Sequence, residues 1–188
     1  MFLIQTQYIE KEIPYTGAEL RSHFIYDQFN LLGDAIVAFA GPCKVDLSQM
    51  VDLEDLKLKK PIYSEKMIHF LVEHFEVSLK QMVSFQRILI SLIFEELLRR
   101  TKNLSLHRNG DDLFDGDAKL TVSIATLTPI SGVIHTGINI SSKNTPVLTR
   151  GLEDYQIDPK DFAQSVLRAY AAELSSISKA ICKVRGVL

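Results

Sequence analysis

Lys119-Leu120-Thr121-Val122-Ser123-Ile124-Ala125-Thr126-Leu127 and, beyond Pro129 to Gly132, Val133-Ile134-His135-Thr136-Gly137-Ile138-Asn139-Ile140-Ser141 read as two long strands. β-Branched residues dominate them, and polar residues alternate with aliphatic ones at the period of a pleated chain. The short connection predicts an antiparallel hairpin. Successive residues of a strand face opposite sides, so Leu120, Val122 and Ile124 are expected in the core together with Ile134, Ile138 and Ile140. The other rows carry Lys119, Thr121 and Ser123, then His135, Gly137 and Asn139. An antiparallel sheet can simply turn such a row to water. This row has one Lys, no Glu and a glycine that lets another group approach the backbone, which equally suits a binding face.

Outward from the hairpin, helices and strands mix without regular alternation. Phe2 to Ile9 predicts a strand. Thr16-Gly17-Ala18-Glu19 has the form of a capping box and predicts a helix from about Gly17 towards Phe29. Ala35 to Phe39 predicts a second strand, ending at Gly41-Pro42 because proline cannot donate to a ladder. Lys44 to Pro61 reads as a charged loop with one short helix, and Ile68 to Phe75 is ambiguous between strand and helix and is taken as a strand. Ser78-Leu79-Lys80-Gln81 opens a helix with Met82, Gln86, Ile90, Ile93 and Leu97 at helical spacing, and Asp158-Pro159 opens the last one. Short strands are expected near Leu104–His107 and Leu113–Phe114. The class is α+β, an antiparallel-rich mixed sheet packed with helices, expected as a single domain over residues 1–188.

With 21 Lys+Arg against 23 Asp+Glu, the chain has no charge excess for an extended nucleic-acid surface. The apolar run from Ile88 to Phe94 is too short for a membrane span, and the N-terminus lacks a signal-peptide core. Cys43 and Cys182 form no metal or redox motif. These features predict a cytoplasmic protein with a small-molecule ligand. A homodimer through the sheet edge or the last helix is the expected assembly.

Asn109-Gly110-Asp111-Asp112-Leu113 is a turn by composition, but its paired carboxylates also suit Mg²⁺ beside a phosphate. Arg21, with His23 beside it, suits a carboxylate or phosphate if it is not a plain surface arginine. His69 and His74 lie on no common helix or strand face, which argues against a zinc pair. Cys43 reads as a small buried hydrophobe or a reactive thiol. Lys57, Lys59 and Lys60 read as a solvated run. No P-loop, GxSxG or GxGxxG is present.

Tyr15-Thr16-Gly17, Leu20-Arg21-Ser22-His23, Leu32 to Phe39, Gly41-Pro42-Cys43, Asp52-Leu53-Glu54-Asp55, Gly110 to Phe114, Lys119 to Thr126 and Cys182 to Arg185 resemble an uncharacterised prokaryotic family, domain-of-unknown-function family 366. The order of a helix ending at Arg100, Asp111-Asp112-Leu113, Lys119-Leu120 and Ile134 to Asn139 is similar to the catalytic domain of biotin and lipoate protein ligases. That resemblance implies the sheet of class II aminoacyl-tRNA synthetases, with ATP and Mg²⁺ as cofactors. It implies Lys119 as the catalytic group that stabilises the forming acyl-adenylate. It implies Asp111 and Asp112 at the metal, with Asp112 and Asn139 bordering the nucleotide. Thr121, Ser123, His135 and Gly137 would line the ligand, with Arg21 and His23 reaching it from the first helix. The ligases' Arg/Gly-rich loop has no counterpart between Asp34 and Pro61, and Thr121-Val122 replaces a small-Gly pair. Those departures point away from biotin and lipoate themselves. An acid-activating enzyme, a non-catalytic binding module and a reaction on a purine-like or tRNA-linked substrate all remain open here.

Overall fold

The computed structural model describes residues 4–59, 62–102 and 105–187. Phe2, Leu3, Lys60, Pro61 and Leu104, which the sequence reading placed in a strand start, a loop and a short strand, lie outside these. The main sheet holds β1 (Gln5–Ile9), β2 (Ala35–Val45), β3 (Ile62–Phe75), β7 (Thr121–Leu127) and β8 (Ser131–Asn139), ordered β1-β2-β3-β8-β7. Only β1 and β2 run parallel; the other neighbours are antiparallel. A small antiparallel sheet of β4 (Leu106–Asn109), β5 (Asp112–Asp115) and β6 (Ala118–Lys119) abuts the β7 end.

Two long helices, α3 (Leu79–Arg100) and α4 (Pro159–Cys182), cover one face of the main sheet. Their start signals act as read. Ser78 and Gln81 close a reciprocal capping box, and the Asp158 carboxylate accepts the Asp161 N–H at 2.8 Å. Ile36, Ile68, Phe70, Ile134 and Ile138 from the strands meet Met82, Ile90, Ile93, Phe162 and Val166 from the helices. Burying each such side chain stabilises the fold by about 1.5–3 kcal/mol. On the opposite face, Tyr15, Val37, Phe39, Cys43, Met67 and Leu71 form a second core. The central strands are therefore covered on both sides.

Three expectations are corrected. The Thr16–Glu19 hydrogen bonds form, with Thr16 and Gly17 N–H both donating to the Glu19 carboxylate. No helix follows at once, because Gly17 and His23 have φ of 94° and 61°. Helix α1 spans only Phe24–Phe29. Its entry is set instead by the buried Glu73 carboxylate, which accepts the His23 N–H at 2.8 Å.

Strand β2 does not stop at Gly41-Pro42. The register shifts there, and the Pro42 carbonyl accepts from Tyr15 N–H, so the missing proline donor is not needed. A Cβ on Gly41 would lie 2.0 Å from the Ile13 carbonyl oxygen, so only glycine lets residues 13–15 run against this edge.

The hairpin faces pair differently from the expected core row. Val122 lies opposite Gly137 and Ile124 opposite His135, so those two aliphatics share the face of the histidine. Thr121 and Ser123 lie opposite Ile138 and Thr136, on the helix side. Ser123 Oγ accepts from Gln86 of α3 at 3.0 Å. The short helix expected between Lys44 and Pro61 is α2 (Leu53–Leu58).

Candidate functional site

Over the face away from α3 and α4, a cleft divides into two chambers. The smaller encloses about 110 Å³ between Tyr15, Cys43, Asp52, Asp112, Ile124 and His135. The larger, about 520 Å³, lies between Tyr63, Ser64, Phe114, Asn139, Val147 and Leu148. Asp55, Ile62, Lys119 and Val122 line both. Among the described residues Lys119 is the one cation common to the two chambers, and it stands where they meet.

The end of the small sheet delivers Lys119. Its Nζ lies 2.8 Å from Asp112 Oδ2, and β6 is held by backbone hydrogen bonds to Leu148 and Arg150. Burial pushes the Asp112 carboxyl above its usual 3.8, and the Lys119 charge works against that rise. Asp111 turns to α3: Oδ2 accepts from Gln86 at 2.8 Å and Oδ1 sits 3.2 Å from Arg87. The adjacent carboxylates thus separate, one neutralised from beneath by α3 and one by the cleft lysine. No group of three or more metal-ligating side chains occurs among the described residues. Asp55 is half-buried and lines both chambers, and its carboxylate has no side-chain partner among the described residues, whereas Asp52 caps α2 by accepting from Glu54 and Asp55 N–H.

The floor of the smaller chamber is an aromatic and imidazole stack. Tyr15 lies on His135 with ring centroids 3.6 Å apart and planes within 10°. His135 Nε2 is 3.0 Å from His69 Nδ1, and His69 Nε2 is 3.1 Å from the Gly41 carbonyl oxygen. Burial pulls His69 from 6.5 to about 4 and His135 well below 6.5, so both imidazoles are neutral. Burial also pushes the Cys43 thiol up to about 12, which leaves it protonated and unreactive.

The structure brings Lys119, Asp112, His135, Asn139 and Gly137 to this face. Asn139 lines the larger chamber and donates to the Arg150 carbonyl. Gly137 admits the Met67 side chain, whose methyl would lie 2.9 Å from an added Cβ. Asp111 and Ser123 also line the smaller chamber and Thr121 the larger one, although the two hydroxyls engage Leu113 N–H (Thr121) and Gln86 and Thr136 (Ser123). Arg21 pairs with Asp27 on the surface, and neither it nor His23 lines the cleft. The sequence offered Tyr15 and Asp55 only within the family motifs and gave neither a role at the site; Ser64 went unnoticed, and His69 was weighed only against zinc. Tyr15 carries no local signal, since Gly41 on another segment admits it.

A family model described as domain of unknown function (DUF366) matches residues 4–185. The chain belongs to that family. An uncharacterized protein of Methanocaldococcus jannaschii is 37% identical over 183 residues, covering 94% of this chain and 82% of that one. A solved protein of unknown function from Pyrococcus horikoshi has 36% identity and a TM-score of 0.91, over 98% of this chain and 100% of its own. The fold is that of biotin and lipoate protein ligases, the class II synthetase-like arrangement. A biotin protein ligase from Aquifex aeolicus, solved with biotin and ATP, has a TM-score of 0.64 at 14% identity, over 92% of this chain and 72% of that one. At that identity the likeness concerns the fold alone. Among the described residues no helix is long and apolar enough to cross a membrane.

Proposed function

We propose that this DUF366 chain binds a small carboxylic acid in the smaller chamber and a nucleotide in the larger one, and activates the acid by adenylation. The observation that carries the reading is the place of Lys119, the shared cation where the two chambers meet. The acid's carboxylate oxygen attacks the α-phosphorus of ATP, the bond to the pyrophosphate oxygen breaks, and acyl-adenylate and pyrophosphate result. A fixed ammonium at the junction stabilises the negative charge that builds on the transferring phosphoryl oxygens. Asp112 positions it. A Mg²⁺ accompanying the nucleotide would meet Asp112 and Asp55, while Asp111 stays anchored to α3. The solved biotin ligase with biotin and ATP supports the pairing of ligand classes.

The Lys119–Asp112 pair favours a second reading, a non-catalytic binding module, because a neutralised ammonium offers less to an incoming anion. Pyrophosphate exchange into ATP over a panel of small carboxylic acids separates the two. An activating enzyme exchanges label with at least one acid, Lys119→Met abolishes exchange, and Lys119→Arg retains part of it. Thermal shift with Mg²⁺ and ATP, ADP, AMP or GTP reads binding independently. A ligand at 100 times its dissociation constant adds about 2.7 kcal/mol. Nucleotide binding without exchange for any acid leaves the module, and no response to any nucleotide overturns both the ATP chemistry and its binding site.

A further inference from the structure

The histidine pair under the smaller chamber has only one consistent arrangement of protons. The Gly41 carbonyl can only accept, so the His69 nitrogen 3.1 Å away, Nε2, must carry the hydrogen. His69 is neutral, so its Nδ1 holds a lone pair. The contact of 3.0 Å from that lone pair to His135 Nε2 then requires the hydrogen on His135 Nε2. His135 Nδ1 is left as a bare acceptor. It has no hydrogen-bond partner among the described residues, yet it is not one of the fully enclosed side-chain atoms lacking a hydrogen bond there, which are Ser64 Oγ and Arg87 Nη1. His135 is only 3% exposed and lines the smaller chamber, and the Tyr15 ring stacked on it fixes its plane.

The geometry points to His135 Nδ1 as a fixed hydrogen-bond acceptor that admits, in the smaller chamber, ligands presenting a neutral N–H or O–H donor and rejects those presenting a carbonyl, carboxylate or phosphate oxygen there. This rests on the cleft being a ligand site and gives its two ends opposite polarity. The anionic end of the ligand belongs at Lys119 and the donor end at His135. Lys119 and His135 both line the smaller chamber, so one ligand meets both ends. His69 is a positioning residue: its carbonyl-anchored Nε2–H decides which nitrogen of His135 faces the ligand. A buried acceptor left without its donor costs enough to separate donor from acceptor analogues by about tenfold or more.

The ¹⁵N-histidine-labelled full-length chain tests this directly. Long-range ¹H–¹⁵N spectra at neutral pH should show both His69 and His135 as Nε2–H tautomers, and His69→Phe should release His135 into a mixture of the two. A set of heteroaromatic acids in isosteric pairs, pyrrole-2-carboxylate with furan-2-carboxylate and longer-chain equivalents, is then titrated in. The members that bind are expected to be the N–H ones, and they should move the His135 Nδ1 resonance. A His135 that carries its hydrogen on Nδ1 overturns the assignment. So does preferential binding of the oxygen members, or a set in which none moves that resonance. Loss of the nucleotide response with the tautomers intact would instead sink the adenylation reading alone.

Discussion

Acidification should weaken this fold well above the range where carboxylates titrate, because two imidazoles are buried uncharged. His69 falls from its usual 6.5 to about 4 through burial, and His135 moves in the same direction, from burial first and from its neighbour second. Below 6.5 the unfolded chain takes up protons that the native state refuses. The unfolded state therefore binds more protons between 6.5 and about 4, and stability falls as pH drops through that window. For His69 alone, going from about pH 7.5 to about pH 5 removes about 2 kcal/mol, and His135 adds to it. Urea unfolding at the two pH values reads the loss as a midpoint shift of about 1 M for a slope of about 2 kcal/mol/M. The comparison is His69→Gln/His135→Gln, in which glutamine can still donate to the Gly41 carbonyl. Asp34 keeps its carboxyl below the usual 3.8, since hydrogen bonds from His74 and the Phe75 N–H outweigh its burial, and so it acts beneath the window. Asp112, raised by burial, works in the opposite sense but is present in both proteins and cancels. The double variant should lose at least 2 kcal/mol less than the wild type between the two pH values. Equal losses would refute the buried neutral pair.

Two further outcomes follow from packing and capping. Gly41→Ala places a methyl 2.0 Å from one backbone atom of Ile13 and 2.7 Å from another, neither of which can rotate away. It should cost about 2 kcal/mol or more in thermal unfolding, and an unchanged midpoint would show that residues 13–15 do not hold this position. Ser78→Ala removes the acceptor for the Gln81 N–H at the start of α3 and should cost about 1 kcal/mol by urea titration. A neutral result there would mean that the tertiary contacts of α3 fix its first turn without the cap.

How far the fold was legible in the sequence depended on whether a signal was local. The caps of α3 and α4 sit within three residues of what they satisfy, and both helices begin where Ser78 and Asp158 announce them. The Thr16–Glu19 box is equally local and its hydrogen bonds form, yet the helix is displaced because the His23 N–H is claimed by Glu73, fifty residues on. The hairpin was readable as a hairpin, but not for its faces. Alternation marks two rows on each strand without saying which row of one meets which row of the other, and β8 is buried on both sides. The register therefore had to come from pairing, which sets Ile124 beside His135 and sends Ser123 to Gln86. The candidate site divides the same way. Lys119 and Asp112 lie close in sequence, so their approach across the small sheet's tight turns could be anticipated. His69 and His135 lie 66 residues apart and meet only because β3 and β8 are neighbours. His135 looked like one polar residue among several in an alternating row; its partner on β3 and the Tyr15 ring above it make it a fixed acceptor. A residue's chemistry is legible from its type, but its protonation and direction are set by neighbours that only the fold supplies.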